Sequence, residues 1–171
     1  MNDLVVQLVE QYGYLFFFLA FSLGPFGVPI PNEITIITGG TMADTGILSP
    51  WAVYACIILG MLTAVTVGYW LGKWLGAPLM KRFERKEKHR RWIQLAEQLV
   101  QRYGNIAMFI GYFIPVVRYV VPVLMGAGGI KFQTFAAYSY PGAVTWTVIF
   151  FGIGHLWGND IATMLAVIKI L

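Results

Sequence analysis

Charge, cysteine and histidine are all scarce in this chain. Asp, Glu, Lys and Arg make up 12% of its 171 residues, against about a quarter in a soluble domain. The one cysteine, Cys56, lies inside an apolar run, so the chain can close no disulfide on itself and build no cysteine metal cluster. The two histidines, His89 and His155, fall in a basic run and near a helix end, too few for a convergent metal site. Neither a metal nor another cofactor is expected. GxSxG, HExxH, P-loop and Rossmann glycine patterns are missing, so no catalytic residue is assigned and an enzyme is not expected. A membrane enzyme using Glu33 as base is the one enzymatic reading left open. No basic segment precedes the first apolar stretch, MNDLVVQLVEQYGY, which argues against a cleaved signal peptide.

What the chain has instead is apolar surface. Hydrophobic residues make up 58%, more than one small core can hide, so lipid is the natural solvent for the remainder. This is expected to be a multi-pass membrane protein of one compact domain. The net charge of +4 is uneven: nine of the twelve Lys and Arg residues lie between Lys73 and Arg102. A basic run such as KRFERKEKHRRW at 81–92 suggests nucleic acid. Its place between two apolar blocks favours the positive-inside rule instead, which puts 81–102 in the cytoplasm; no nucleic-acid partner is expected.

Two segments, 52–80 and 133–157, are apolar for longer than the roughly 20 residues a span needs. Two more are broken. Residues 13–42 contain Pro25, Pro29 and Pro31, and residues 104–130 contain Pro115 and Pro122. Proline removes a backbone donor and clashes with the preceding turn, so each stretch reads as helix, break, helix. A kinked helix and a re-entrant hairpin both fit; clustered proline, glycine and charge favour the hairpin. Residues 83–103 interleave charge with Trp92, Ile93, Leu95, Ala96, Leu99 and Val100, the spacing of an amphipathic helix along the cytoplasmic interface. The apolar end, 159–171, is too short to span alone.

The halves resemble each other. LVEQYGYLFFFLAF at 8–21 matches LVQRYGNIAMFIGY at 99–112, an offset of 91 that also sets Phe21 on Tyr112 and Pro31 on Pro122. LGKWLG at 71–76 matches IGHLWG at 153–158, at offset 82. With 81–102 cytoplasmic, 52–80 runs inward, 133–157 runs outward, and the two hairpins enter from opposite sides. The expected fold is all-α: an inverted repeat of a re-entrant hairpin plus a transmembrane helix. Half 1 is 1–80, a cytoplasmic amphipathic linker helix is 81–103, and half 2 is 104–171. Such repeats place a substrate site near the midplane.

Glu33 and Arg118 each lie about eleven to fifteen residues from an expected membrane surface, roughly 16–22 Å of helical rise. A lone charge at the bilayer centre costs about 2.5–3.5 kcal/mol on insertion scales. The expectation is that the hairpin tips meet, so that the two pair or share a hydrated cavity. A purely structural ion pair is the competing reading. Glu33 is then a candidate carrier of a coupling proton, and Arg118 a candidate clamp for a lipid phosphate. Gly60, Ala64, Gly68, Gly72 and Gly76 recur every four positions, a small-residue packing face whose partner, within the chain or in a homodimer, stays open. Lys73 and His155 occupy matching sites and are read as interface anchors.

At these residues the chain resembles the DedA family of bacterial membrane proteins, also described by its SNARE-associated or VTT domain. The family's Pro-x-Pro-x-acidic motif is matched by Pro29, Pro31 and Glu33, and its Tyr-x-x-Gly-Lys/Arg motif by Tyr69, Gly72 and Lys73. Phe-x-Pro-x-x-Arg-x-x-x-Pro is matched by Phe113, Pro115, Arg118 and Pro122, with Gly126, Gly128 and Gly129 following. Gly-Ala-x-x-Trp is matched by Gly142, Ala143 and Trp146. The chain departs where many members carry a glutamate (here Phe21), a further arginine (here Tyr112) and Gly-Asp (here Ala64-Val65). The resemblance links those positions to proton coupling.

The resemblance implies a bacterial inner-membrane protein that moves a lipid between leaflets, either undecaprenyl phosphate or a phospholipid. With fewer buried charges than usual, phosphatidylethanolamine is favoured. Glu33, Arg118, Lys73, Tyr69 and Tyr112 are the candidate binding or coupling residues, and membrane lipid is the expected partner. A proton- or ion-coupled small-solute transporter and a non-transporting assembly factor are the alternatives.

Overall fold

The computed structural model describes the backbone of residues 2–24, 32–84 and 87–170, and the side chains of 12–24, 32–76, 91 and 93–157. Among these residues it is all helix, with no strand. Helix α1 is Asn2–Ser22 and α2 is Asn32–Asp44. The proline cluster Pro25, Pro29 and Pro31 between them lies outside the described residues.

Helix α3, Pro50–Glu84, opens on a proline, whose missing N–H costs nothing in a first turn. Its stretch Pro50–Gly76 is the one described helix both long and apolar enough to cross a membrane, at about 40 Å of rise against a hydrocarbon core of about 30 Å. Trp51 and Trp74, near its two ends, are 84% and 73% exposed, as indoles of the interfacial belts are. At Gly76 the backbone turns non-helical (φ 35°, ψ −122°), and among the described residues no atom lies near the place of a side chain. Gly76 is therefore a kink, and the expected small-residue face ends at Gly72.

Helix α4, Glu87–Tyr103, occupies the expected amphipathic segment. It packs on two later helices, α5 (Ala107–Ile110) and α6 (Val117–Ala127), and buries Ile93 and Ala96. Part of its apolar face is thus spent on the chain's own helices. Short 3₁₀ turns, Gly104–Ile106 and Gly111–Phe113, flank α5. The second broken stretch then breaks once, at Ile114–Val116. Pro122, expected to be a second break, sits inside α6, buried. Helix α6 runs on through it, giving up the one intrahelical bond that an N–H at that position would make.

Helix α7, Phe132–Ile170, is longer than the expected span 133–157 and carries Pro141 within it. The part whose side chains are described, 132–157, does not reach the apolarity of Pro50–Gly76. The reason lies in its polar groups, Ser139, Tyr140 and Thr147, each hydrogen-bonded to another helical segment.

The described residues gather into two compact units that cut across the halves of the sequence. The first contains α1, α2, α3 as far as Met61, and α7 from Thr147; the second contains Gly24 and Leu62–Trp146. In the first, a side chain on Gly40 of α2 would strike the backbone of Phe151 and His155, and one on Gly154 of α7 would strike that of Ile37. In the second, a side chain on Gly126 of α6 would strike the backbone of Tyr69 and Lys73, and one on Gly72 of α3 would strike Val123. The two crossings share one pattern. Helices α2 and α6 each lie on the long helix of the opposite half of the sequence, and the contacting residues of the two (Ile37 and Val123, Gly40 and Gly126) are 86 apart.

Candidate functional site

In the second unit, the break before α6 has unusual backbone. Ile114 is extended, and Val116 has φ 69° and ψ −46°, while the Val117 N–H donates to the Pro115 carbonyl at 2.9 Å. This is a γ-turn of the rare, strained kind, centred on a β-branched residue. Two residues on, Arg118 is 4% exposed. Its guanidinium carbon lies 4.6 Å from the ring centre of Trp146 and 5.5 Å from that of Tyr119. An aromatic face attracts a cation, and the site places a buried guanidinium beside two such rings.

Tyr112, also expected at the site, is buried in the same unit, and its hydroxyl shares a hydrogen bond of 2.8 Å with Ser139. Gly142 makes room for it, since a side chain there would meet the Tyr112 ring and the Phe109 backbone. Tyr119, Tyr140 and Arg118 lie within electrostatic reach of the Tyr112 hydroxyl. Tyr140 in turn shares a hydrogen bond of 2.8 Å with Thr66 on α3.

The remaining predicted residues have other surroundings. Tyr69 is fully buried, stacked on Phe135 at 4.7 Å, and its hydroxyl donates to the Ile130 carbonyl at 2.6 Å. That bond ties α3 to the turn after α6. Lys73 is exposed, with its ammonium 4.8 Å from the Trp70 ring centre, next to exposed Trp74. Glu33 is half-buried in the first turn of α2 and belongs to the first unit, whereas Arg118 belongs to the second. His155 is half-buried against Phe151, and among the described residues its Nδ1 has no hydrogen-bond partner. Phe21 is completely buried in the first unit.

The small-residue face divides between the units. Gly60 receives the backbone of α1 at Phe18, while Gly68 and Gly72 receive α6 at Pro122 and Val123; Ala64 is fully buried. The partner of this face is thus within the chain, and the face gives no argument for a second subunit. Among the described residues no three His, Cys, Asp or Glu come together as a metal-ligand set.

Sequence reasoning did not single out Trp146, Tyr119 and Ser139 as site residues. Trp146 was visible only as part of a motif, and Ser139 and Tyr119 as minor interruptions of apolar runs. A polar residue in a helix that faces protein in lipid is itself the signal.

Residues 30–156 match the model of the VTT domain. The chain is 31% identical over 163 residues to the uncharacterized membrane protein YbfM of Bacillus subtilis, covering 91% of this chain and 97% of that one. It is 25% identical to protein DedA of Escherichia coli, over 91% of this chain and 74% of that protein. It is 29% identical to undecaprenyl phosphate transporter A of Bacillus subtilis, over 77% and 67%. No solved structure matches. With the domain model matched over residues 30–156 and with bacterial membrane proteins for relatives, this protein belongs to the VTT-domain family, the DedA proteins among them.

Proposed function

We propose that this protein moves an amphipathic lipid between the leaflets of a bilayer, with Arg118 holding the head-group phosphate. The observation that carries the reading is the burial of the Arg118 guanidinium against Trp146 and Tyr119. Such a charge costs several kcal/mol to place in lipid, and intramembrane ionisable groups mark substrate paths. A planar donor fork matches a phosphate. A relative named as an undecaprenyl phosphate transporter supports a phosphate-bearing lipid. Phosphatidylethanolamine is our preferred substrate and undecaprenyl phosphate the second.

We read the two hairpins as re-entrant and opposed, in line with the shared pattern of their glycine crossings. In this reading Glu33 is the polar group of the first hairpin, and the basic segment 81–102 lies in the cytoplasm.

Purified protein in liposomes is expected to accelerate leaflet exchange of a labelled lipid drawn from a panel of head groups, and Glu33→Gln or Arg118→Ala to slow it. No acceleration with any head group defeats the proposal. A flux driven by a pH gradient that responds to a cation and not to lipid favours the small-solute transporter. Retained activity in both variants, with loss when Gly68 and Gly72 are enlarged, favours an assembly factor.

A further inference from the structure

Two lysines far apart in the sequence, Lys73 and Lys131, are brought to the same cluster of rings in the second unit. We propose that they form, with Trp70, Trp74 and Phe132, an interfacial site for an anionic phospholipid of the surrounding bilayer. The site uses neither Arg118 nor Trp146, so the inference goes beyond the exchange reading and does not depend on it.

The rings fix where the charges stand. Lys73 follows Trp70 by three residues, one turn along the same face of α3, and its ammonium lies 4.8 Å from the Trp70 ring centre. The Trp70 ring lies 5.3 Å from that of Trp74 and is stacked on that of Phe132 at 6.0 Å. The chain is held on both sides of Lys131. Before it, the Ile130 carbonyl accepts the Tyr69 hydroxyl at 2.6 Å; after it, Phe132 lies on Trp70. Lys131 is therefore tied to the two residues of α3 that precede Lys73 by one turn.

The chemistry of the occupant follows from what this surface has and lacks. Both lysines are exposed, and among the described residues neither is paired with a carboxylate. Lys73 stands three residues before the end of the apolar stretch Pro50–Gly76, at the level where head-group phosphates lie and where indoles gather. An ammonium binds phosphate as a point charge. A zwitterionic lipid brings its own cation to the same place, whereas an anionic lipid brings a charge that the two lysines can answer. Exposed Trp74 and Leu75 beside Lys73 give the upper part of an acyl chain an apolar surface. Each lysine near a membrane surface favours an anionic lipid about fivefold.

The test uses full-length protein in phosphatidylcholine liposomes that carry a little phosphatidylglycerol with a photoactivatable group near its glycerol. Crosslinks are located by mass spectrometry and are expected within 70–76 and 131–135. Unlabelled phosphatidylglycerol should displace the label, and neither further phosphatidylcholine nor inorganic phosphate should; equal displacement by either overturns the proposal. Lys73→Gln and Lys131→Gln are each expected to lower the labelling of both segments about fivefold, and the double variant about 25-fold. A loss confined to the segment that carries the substitution overturns the single shared site. Arg102→Gln removes a cation exposed elsewhere in the unit and is expected to change these two segments less than about twofold. A fall as large as that of Lys73→Gln reduces the attraction to net charge and overturns the proposal. All three are surface substitutions, which leave the fold intact. A protein that takes the label as expected yet moves no lipid upholds this site and sinks the exchange reading.

Discussion

Gly126→Ala is the sharpest test of the packing, because it adds a single methyl group where backbone lies on both sides. The new carbon would fall on the Tyr69 carbonyl, with the Lys73 nitrogen 2.9 Å away. Neither neighbour is a side-chain tip that can swing aside; α3 as a whole has to retreat. Overpacking of this kind costs about 1–3 kcal/mol, and backbone contact puts it toward the upper end. Alanine returns up to about 1 kcal/mol in helix propensity, leaving a net loss of about 1–2 kcal/mol. For a chain of this length that is a fall of roughly 2–8 °C in Tm. Gly152→Ala is the control. Among the described residues no neighbouring atom lies within 4 Å of the place its methyl would take, so only the propensity gain remains, worth up to about 1 kcal/mol and a rise of up to roughly 2–4 °C. Heating each variant in mild detergent and measuring the monodisperse fraction by size-exclusion chromatography gives the comparison. A Gly126→Ala protein as stable as the Gly152→Ala protein refutes the close crossing of α6 and α3.

Two further predictions concern the break and the buried hydroxyls. Val116→Gly removes a side chain from a backbone that strains it by about 1–3 kcal/mol, against an entropic cost of about 0.5–1 kcal/mol. It is therefore expected to raise the Tm in the same heating assay, and a fall would show that Val116 is not strained. Tyr112→Phe leaves the Ser139 hydroxyl buried without the bond it makes now, for a loss of about 1–3 kcal/mol. Ser139→Ala in the Tyr112→Phe background should recover part of that loss, and an additive double mutant would disprove the bond.

Element positions were legible because the apolar runs, the prolines and the alternation at 83–103 act within a few turns of themselves. The small-residue face was legible too, but not its partners, since nothing local to Gly60 or Gly72 names Phe18 or Val123. The repeat was read at offset 91 from 8–21 and 99–112, whereas the contacts of α2 and α6 match residues 86 apart, a relation that only the packing brings out. Pro122 misled because a proline removes only one intrahelical bond, and the packing of α6 on α3 and α4 holds the helix through it. Of the site, Arg118 could be picked out by its charge alone. Trp146 could not, since a tryptophan that faces an arginine and one that faces lipid look alike in a sequence.

The exchanged crossings also set an order of assembly during synthesis. Thr41 of α2 donates to the carbonyl of Gly154, 113 residues further along the chain. At roughly 5–20 residues per second, the ribosome takes about 6–23 s to make the segment on which α2 will rest. Until then α2 lacks the helix that Gly40 rests against, while α6 finds α3 already made. The first unit is thus completed last, and a chain cut short after Trp146 would be released with that unit unfinished.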